Sequence, residues 1–318
     1  MPPADDETLR DKFRGAMLGL AVGNALGLPA EGESAHAIRR HFPGGITEVR
    51  EEERDRPWDD DLAQTALLAE VLLESEELDS EAFAARLVEW AHENGRGIGE
   101  LTRSVIDELA RGRPSYEAAR LAWEGNAMSN AGNGAVMRCA PVALRHMRSG
   151  VDLIRTARTS ALVTHYDVRC EWSTVVTAVA LATCLSSEPV EVGDLAAAVD
   201  SLGGEGRSAD SIEQVAEATR MTEGSSLDEL ELDDPMDMGY TLKAMQVALW
   251  CMAQAGGFEQ TVVGVVNQGG DTDTNGALAG AVMGARHGAS SIPQRWVDNV
   301  ADTDRLTGLA DRLFEVSR

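Results

Sequence analysis

The sequence predicts an all-α protein built as a single domain over residues 1–318. Three observations carry this. No segment shows the period-2 alternation of a half-buried strand. Apolar residues recur at helical spacing in one segment after another. No shift in composition marks a boundary, although 318 residues would allow two domains. With 43% apolar residues the chain has the material for a sizeable core.

The first helix is expected from about Thr8 to Leu28. Gly15, Gly19, Gly23 and Gly27 recur at every fourth position and so share one face. Each costs roughly 1 kcal/mol against alanine in a helix, so another backbone is expected to come very close. Gly276, Gly280, Gly284 and Gly288 repeat the spacing. These two helices are therefore expected to pack on each other at the middle of the fold. Membrane dimerisation is the other use of such a pattern. It fails here, because Arg10, Asp11, Lys12 and Arg14 lead one helix and Asp271 and Asp273 the other.

Gly27-Leu28-Pro29 stops the first helix and holds Glu31 just past its end. Residues 33–57 read as a long polar connection, the kind from which lids and binding loops are made. A second amphipathic helix starts at Trp58-Asp59-Asp60-Asp61, with Leu62, Ala66, Ala69 and Leu73 as its apolar positions. Aspartates there suit the helix dipole, which on a solvated face would be their whole role. Trp58 and Leu62 bracket the run closely, which implies partial burial.

Helices are expected over 80–92, 98–111 and 115–124, the last with Ser115 as cap. The loop 126–134 ends in Gly132-Asn133-Gly134. Free amides in such a turn can hold phosphate oxygens, though the tripeptide is also an ordinary turn. A helix over 151–162 runs into Thr164-His165, where a lone histidine is more often structural than catalytic. An apolar helix covers 168–185. The stretch 186–235 has the weakest pattern, and its acidic end, 225–234, reads as a solvated loop. Helices over 240–255 and 258–266 lead to Asn267-Gln268-Gly269-Gly270-Asp271-Thr272-Asp273-Thr274, and Ile292-Pro293 with Trp296 opens a closing helix.

The Gly269–Thr274 stretch presents carboxylates at i and i+2 and a hydroxyl after them, at the start of a helix of small residues. Oxygen donors of this kind suit Mg²⁺, Mn²⁺ or Ca²⁺. The alternative is an N-cap, but a cap needs one such residue and three are present. Should Asp59–Asp61, Asp271 with Asp273, and Glu31 converge, five or six negative charges would share one pocket. Like charges at that range raise one another's pKa strongly, so two divalent cations are the expected remedy. Such a pair can hold sugar hydroxyls, polarise an anomeric substituent and bind water, with a free carboxylate as general base.

The net charge of −25 disfavours nucleic acid and anionic membranes as bulk partners. It leaves room for a phosphate-bearing small ligand. The longest apolar run, around 175–185, is short for a membrane span. The acidic start lacks the features of a secretory signal. Cys139, Cys170, Cys184 and Cys251 stand far apart, as core residues in a reducing cytoplasm would.

Taken together, these motifs resemble the ADP-ribosylglycohydrolase family of the dinitrogenase-reductase-activating and ADP-ribosyl-hydrolase type. The matching pieces are Gly15-Ala16-Met17-Leu18-Gly19 through Gly27-Leu28-Pro29-Ala30-Glu31, Trp58-Asp59-Asp60-Asp61, Gly132-Asn133-Gly134-Ala135-Val136-Met137-Arg138, Thr164-His165, Gly269-Gly270-Asp271-Thr272-Asp273-Thr274, and Ile292-Pro293 with Trp296. They run in the family's order over nearly the whole chain. The resemblance implies an all-α, single-domain orthogonal helix bundle with two divalent cations, most often Mg²⁺ and sometimes Mn²⁺ or Ca²⁺. It implies cleavage of the bond between the distal ribose of ADP-ribose and an acceptor, such as the side chain of an ADP-ribosylated protein. Asp59, Asp60, Asp61, Asp271, Asp273 and Thr274 would hold the metals. Glu31, on a mobile loop, would approach the metals or act on water, with Asp60 and Asp273 completing the catalytic set. Gly132, Asn133, Gly134, His165, Gly269 and Gly270 would contact the substrate. The family's first acidic motif is usually Ser/Thr-Asp-Asp-Thr, whereas this chain has Asp59 in the leading position and Leu62 in the trailing one. Two alternatives stay open: a hydrolase of another ribosyl or nucleotide compound, and a non-catalytic binder of ADP-ribose.

Overall fold

The computed structural model describes residues 6–125, 131–186, 190–201 and 207–318. Part of the loop read over 126–134, and parts of the stretch 186–235, lie outside the described residues. The helices are α1 (Asp6–Gly27), α2 (Ala35–His41), α3 (Asp60–Leu72), α4 (Ser80–Glu93), α5 (Glu100–Ala110), α6 (Ser115–Gly125), α7 (Ala140–His146), α8 (Gly150–Leu162), α9 (Val168–Leu185), α10 (Val192–Ser201), α11 (Arg207–Thr222), α12 (Thr241–Ala253), α13 (Phe258–Val266), α14 (Thr272–His287), α15 (Gln294–Val297) and α16 (Thr303–Val316). Among the described residues the only β features are two isolated bridges, Ser34 with Gly269 and Gly132 with Tyr240.

α1 and α14 form the centre and run antiparallel, glycine against glycine. A Cβ on Gly19 would lie 2.1 Å from the Gly280 carbonyl oxygen, and one on Gly23 would lie 2.0 Å from that of Gly276. Gly15 faces Gly284 in the same way, at 2.3 Å. Real Cβ atoms do not approach this closely, so the contact exists only because both faces are bare. The register also corrects the expected ladder at its ends. Gly27 faces Thr272, whose hydroxyl donates to the Gly27 carbonyl at 2.7 Å, and Gly288 faces the Asp11 carboxylate.

The other helices surround this pair. α16 packs on α1 through an edge-to-face contact of Phe13 and Phe314 at 5.5 Å and the Arg14–Asp311 ion pair at 2.8 Å. α9, with 18 residues and a mean hydropathy of 1.3, is the one helix among the described residues with the length and composition of a membrane span. The helix extends the apolar run seen in the sequence. It packs on α8, α12 and α14, burying Glu171, Ser173, Thr174 and Thr177 among its apolar residues.

Two stretches read as loops are built differently. Residues 33–57 contain α2 and a short 3₁₀ turn (Glu51–Asp55), and bury Ile38, Ile46 and Val49. Asn267 clasps Ile46 from both sides, donating to its carbonyl and accepting from its amide. The buried residues are too far apart to produce a periodic signal. The acidic stretch 225–234 is docked as well: Leu230 and Leu232 are buried, and Asp233 accepts from the Ala35 amide at 2.9 Å. α10 and α11 lie within the weakly patterned stretch beyond Ser186, and the closing helix expected from Ile292 is broken into the short α15 and the longer α16.

A carboxylate-walled cavity where two helices begin

α3 and α14 both point their N-termini into one cavity of about 220 Å³. Its wall includes Glu31, Asp60, Asp61, Asp271, Asp273 and Thr274. The acidic groups that stand some two hundred residues apart in the chain therefore meet. Helix dipoles favour negative charge at such ends, and the glycine contact between α1 and α14 brings Glu31, just past α1, to the same place.

The first triplet divides its tasks. Asp59 is the N-cap of α3, accepting from the Leu62 amide, while its other oxygen accepts from Asn24 Nδ2 of α1 at 2.8 Å. It thus does the capping that a serine or threonine would do, and adds a charge. Its carboxylate stands behind the cavity surface, yet oxygens of Asp59, Asp61 and Asp273 lie within 4.8 Å of one another. Asp60 faces the cavity opposite Gly97, a glycine at φ +82° whose Cβ would sit 2.4 Å from the Asp60 carboxylate. Asp61 accepts from the Thr274 hydroxyl at 3.1 Å with one oxygen. Its other oxygen, and one oxygen of Asp273, are buried without a partner among the described residues.

Those two oxygens test whether a cation fits. A buried carboxylate oxygen normally has a hydrogen-bond partner, and leaving it bare is costly. An all-oxygen set of closely spaced acids with free lone pairs is the donor chemistry of a hard divalent ion. Without an ion the charges strain the site. Burial pushes Asp61 and Asp273 well up, reinforced at Asp61 by Asp60 and at Asp273 by Asp271. Burial, then Asp59 and Asp271, raises Asp60 to about 8. Burial also raises Asp59, against the Asn24 hydrogen bond that favours its charged form.

Carboxyls held above their unfolded-state pKa bind more protons folded than unfolded, so stability falls as pH rises between the two values. The metal-free protein is expected to lose thermal stability steadily from about pH 4 to about pH 8. Mg²⁺ should flatten that slope in melting experiments. A metal-free protein that becomes more stable over the same range would show that the acids are not confined together.

Glu31 stands at the rim, where burial of its carboxyl, then Asp271 and Asp59, raises its pKa. Its loop is pinned. The Gly32 amide donates to the Gly270 carbonyl at 2.9 Å, and the Gly270 amide donates to the Glu33 carbonyl at 2.8 Å. Gly269 and Gly270 are buried in this clasp and do not line the cavity; a Cβ on Gly270 would strike the Leu232 carbonyl oxygen at 1.9 Å. Opposite them, Gly132, Asn133, Gly134 and His165 do line it. Asn133 Nδ2 donates to Asp271 at 2.7 Å, tying that turn to the start of α14.

Sequence reading missed the third wall, Gly97, Gly99, Glu100, Leu101 and Thr102, together with Met137, Met238 and Gly239. The glycines at 95, 97 and 99 were its available signal. It also missed Asn24, a lone polar side chain on an apolar helix.

The fold and this site define the ADP-ribosylglycohydrolase class, a class of glycosidic-bond hydrolases; a match to that family spans residues 5–318. The chain belongs to this family. It is 25% identical to the ADP-ribosylarginine hydrolase Tri1 of Serratia proteamaculans, over 96% of this chain and 79% of that one. It is 29% identical to the ADP-ribosyl-[dinitrogen reductase] glycohydrolase of Rhodospirillum rubrum, over 92% and 91% respectively. Among solved structures, an ADP-ribosylglycohydrolase-related protein complex aligns with a TM-score of 0.72 at 30% identity, covering 98% of this chain and all of the other.

Proposed function

We propose that this protein hydrolyses the bond between the distal ribose of ADP-ribose and an acceptor, using two divalent cations, Mg²⁺ first and Mn²⁺ or Ca²⁺ as substitutes. The observation that carries this is the pair of buried carboxylate oxygens on Asp61 and Asp273, without a partner among the described residues, inside a triad completed by Asp59. Asp59, Asp60, Asp61, Asp271, Asp273 and Thr274 are the proposed ligands. Bound there, the ions would neutralise the wall and polarise the anomeric substituent.

The chain's own groups do the rest. Glu31, at the rim with a raised pKa, is placed to take a proton from water entering from solvent. Asp60 and Asp273 fix the ribose side of the cavity, while Asn133, Gly132, Gly134 and His165 face the diphosphate side. The four cysteines, all free and buried, suit the reducing cytoplasm in which we place the protein. The acceptor is settled by offering ADP-ribosyl-arginine, ADP-ribosyl-serine and free ribosyl nucleotides in parallel with Mg²⁺. Release of ADP-ribose from at least one ADP-ribosyl substrate is expected; cleavage of ribosyl nucleotides alone would replace this reading with the other hydrolase.

Two substitutions separate the roles. Glu31→Gln is expected to lower kcat by about 10²–10⁴-fold with KM changed little, as loss of a general base does. An unchanged kcat would remove Glu31 from the chemistry. Asp59→Ser keeps a helix cap and removes one negative charge, so the folded protein should persist with Mg²⁺ affinity about tenfold weaker by calorimetry. Unaltered affinity would mean that Asp59 serves only α3 and Asn24.

A further inference from the structure

Arg138 closes the Gly132–Arg138 motif, and none of the roles above uses it. It is fully buried and has no carboxylate partner among the described residues. Nη1 donates to Gln64 Oε1 at 2.6 Å, and Nη2 donates to the Ser160 carbonyl at 3.1 Å and to Thr164 Oγ1 at 2.6 Å. The guanidinium lies 5.1 Å from the Phe83 ring centroid, and its Nε has no acceptor among the described residues. A buried cation with no ion-pair contact, acted on only through space by the Asp60 charge, is expensive, so its placement calls for a reason.

Thr164 connects it to the cavity. Its hydroxyl oxygen, already accepting from Arg138, lies 2.7 Å from His165 Nδ1. Thr164 is fully buried, and among the described residues that nitrogen is the one acceptor for its proton. The hydroxyl therefore donates to Nδ1, which must carry the lone pair, and a neutral ring then bears its hydrogen on Nε2. Nε2 lies against the cavity-lining turn: a Cβ on Gly134 would come within 3.2 Å of it, and one on Gly132 within 3.5 Å. Nε2 has no partner among the described residues, while Nδ1 is held.

We propose that Gln64, Arg138 and Thr164 are positioning residues that lock His165 in the neutral Nε2–H tautomer, so that it offers the substrate's diphosphate-ribose one fixed hydrogen-bond donor. The substrate contact rests on the functional reading above; the locked tautomer does not. Burial, then the Arg138 charge, holds His165 down at about 3. The acid that opposes this, Asp167, is engaged by Arg169 and Trp123. The ring thus stays neutral through the working range and discriminates by shape: it rewards an acceptor oxygen at one point and rejects a donor there.

The test uses full-length protein labelled with ¹⁵N-histidine, with His165 assigned by comparison with His165→Gln. The wild-type ring is expected to show a protonated Nε2 and an unprotonated Nδ1, unchanged from about pH 5.5 to about pH 8.5. Thr164→Val, which keeps the shape and removes the hydroxyl, should populate the Nδ1–H form and weaken ADP-ribose binding about tenfold by calorimetry with Mg²⁺. Thr164→Ser should restore both. A wild-type ring that titrates in its ordinary range, one with its hydrogen on Nδ1, or a Thr164→Val ring identical to wild type would overturn the proposal. Absence of ADP-ribose binding by the wild-type chain would overturn the functional reading instead, and the spectra, which need no ligand, tell the two failures apart.

Discussion

Asp61→Asn is expected to abolish hydrolysis, by about a thousandfold or more, and at the same time to stabilise the metal-free protein. The two effects have one cause. Asp61 has one oxygen on the Thr274 hydroxyl and another that is buried without a partner among the described residues, and its carboxylate clusters with those of Asp59 and Asp273. Holding a divalent ion contributes several kcal/mol of charge stabilisation to a reaction of this kind, and each 1.36 kcal/mol is tenfold in rate. Without the ion the same carboxylate only repels its neighbours. Truncating a buried group usually destabilises, so a gain in stability in chelator, paired with loss of activity, identifies a carboxylate kept for its ligand. Melting curves in chelator and in Mg²⁺ measure both sides. At a hundredfold excess over its dissociation constant an ion adds about 2.7 kcal/mol to the wild type, and much of that should vanish in the variant. An Asp61→Asn protein that is less stable in chelator than the wild type would mean that Asp61 supports the fold.

The second large effect lies in the glycine contact. Gly280→Ala adds one methyl group, 1.9 Å from the Gly19 carbonyl oxygen. Both sides of that clash are helical backbone and neither can yield by rotating a side chain. Overpacking in a core commonly costs 1–3 kcal/mol; here about 3 kcal/mol or more is expected, a fall in Tm of roughly 5 °C. Gly308→Ala is the control. That glycine lies within α16 with nothing near its Cβ position, so alanine should stabilise by up to about 1 kcal/mol. Similar outcomes for the two substitutions would refute the close approach of α1 and α14. The Gly280 variant should also lose metal affinity, because this contact sets Glu31 and the start of α14 against α3.

What could be read in the sequence was local and repeated. The four-residue glycine spacing gave the central pair of helices, and acids at two helix starts gave the carboxylate side of the cavity wall. Register was another matter. Nothing in the spacing says that Gly27 meets Thr272, or that Gly288 meets Asp11, since that depends on where the two helices cross. The mobile loop expected around Glu31 is clasped by Gly269 and Gly270 through backbone bonds that residue type does not announce. The same clasp keeps those two glycines out of the cavity wall. Ile38, Ile46 and Val49 anchor a segment that reads as polar because single apolar contacts leave no period. His165 was visible as a residue but not as a donor, because its state is set by Arg138 and Thr164 from behind.

On the proposed function, the clustered carboxylates would hold divalent ions that the chain needs in order to cleave an ADP-ribosyl bond. The most direct measurement is ADP-ribose release from an ADP-ribosylated substrate by one preparation in three states: with Mg²⁺, after chelation, and after Mg²⁺ is restored. Release, loss and recovery are expected in turn. Release that continues undiminished in chelator would contradict that reading.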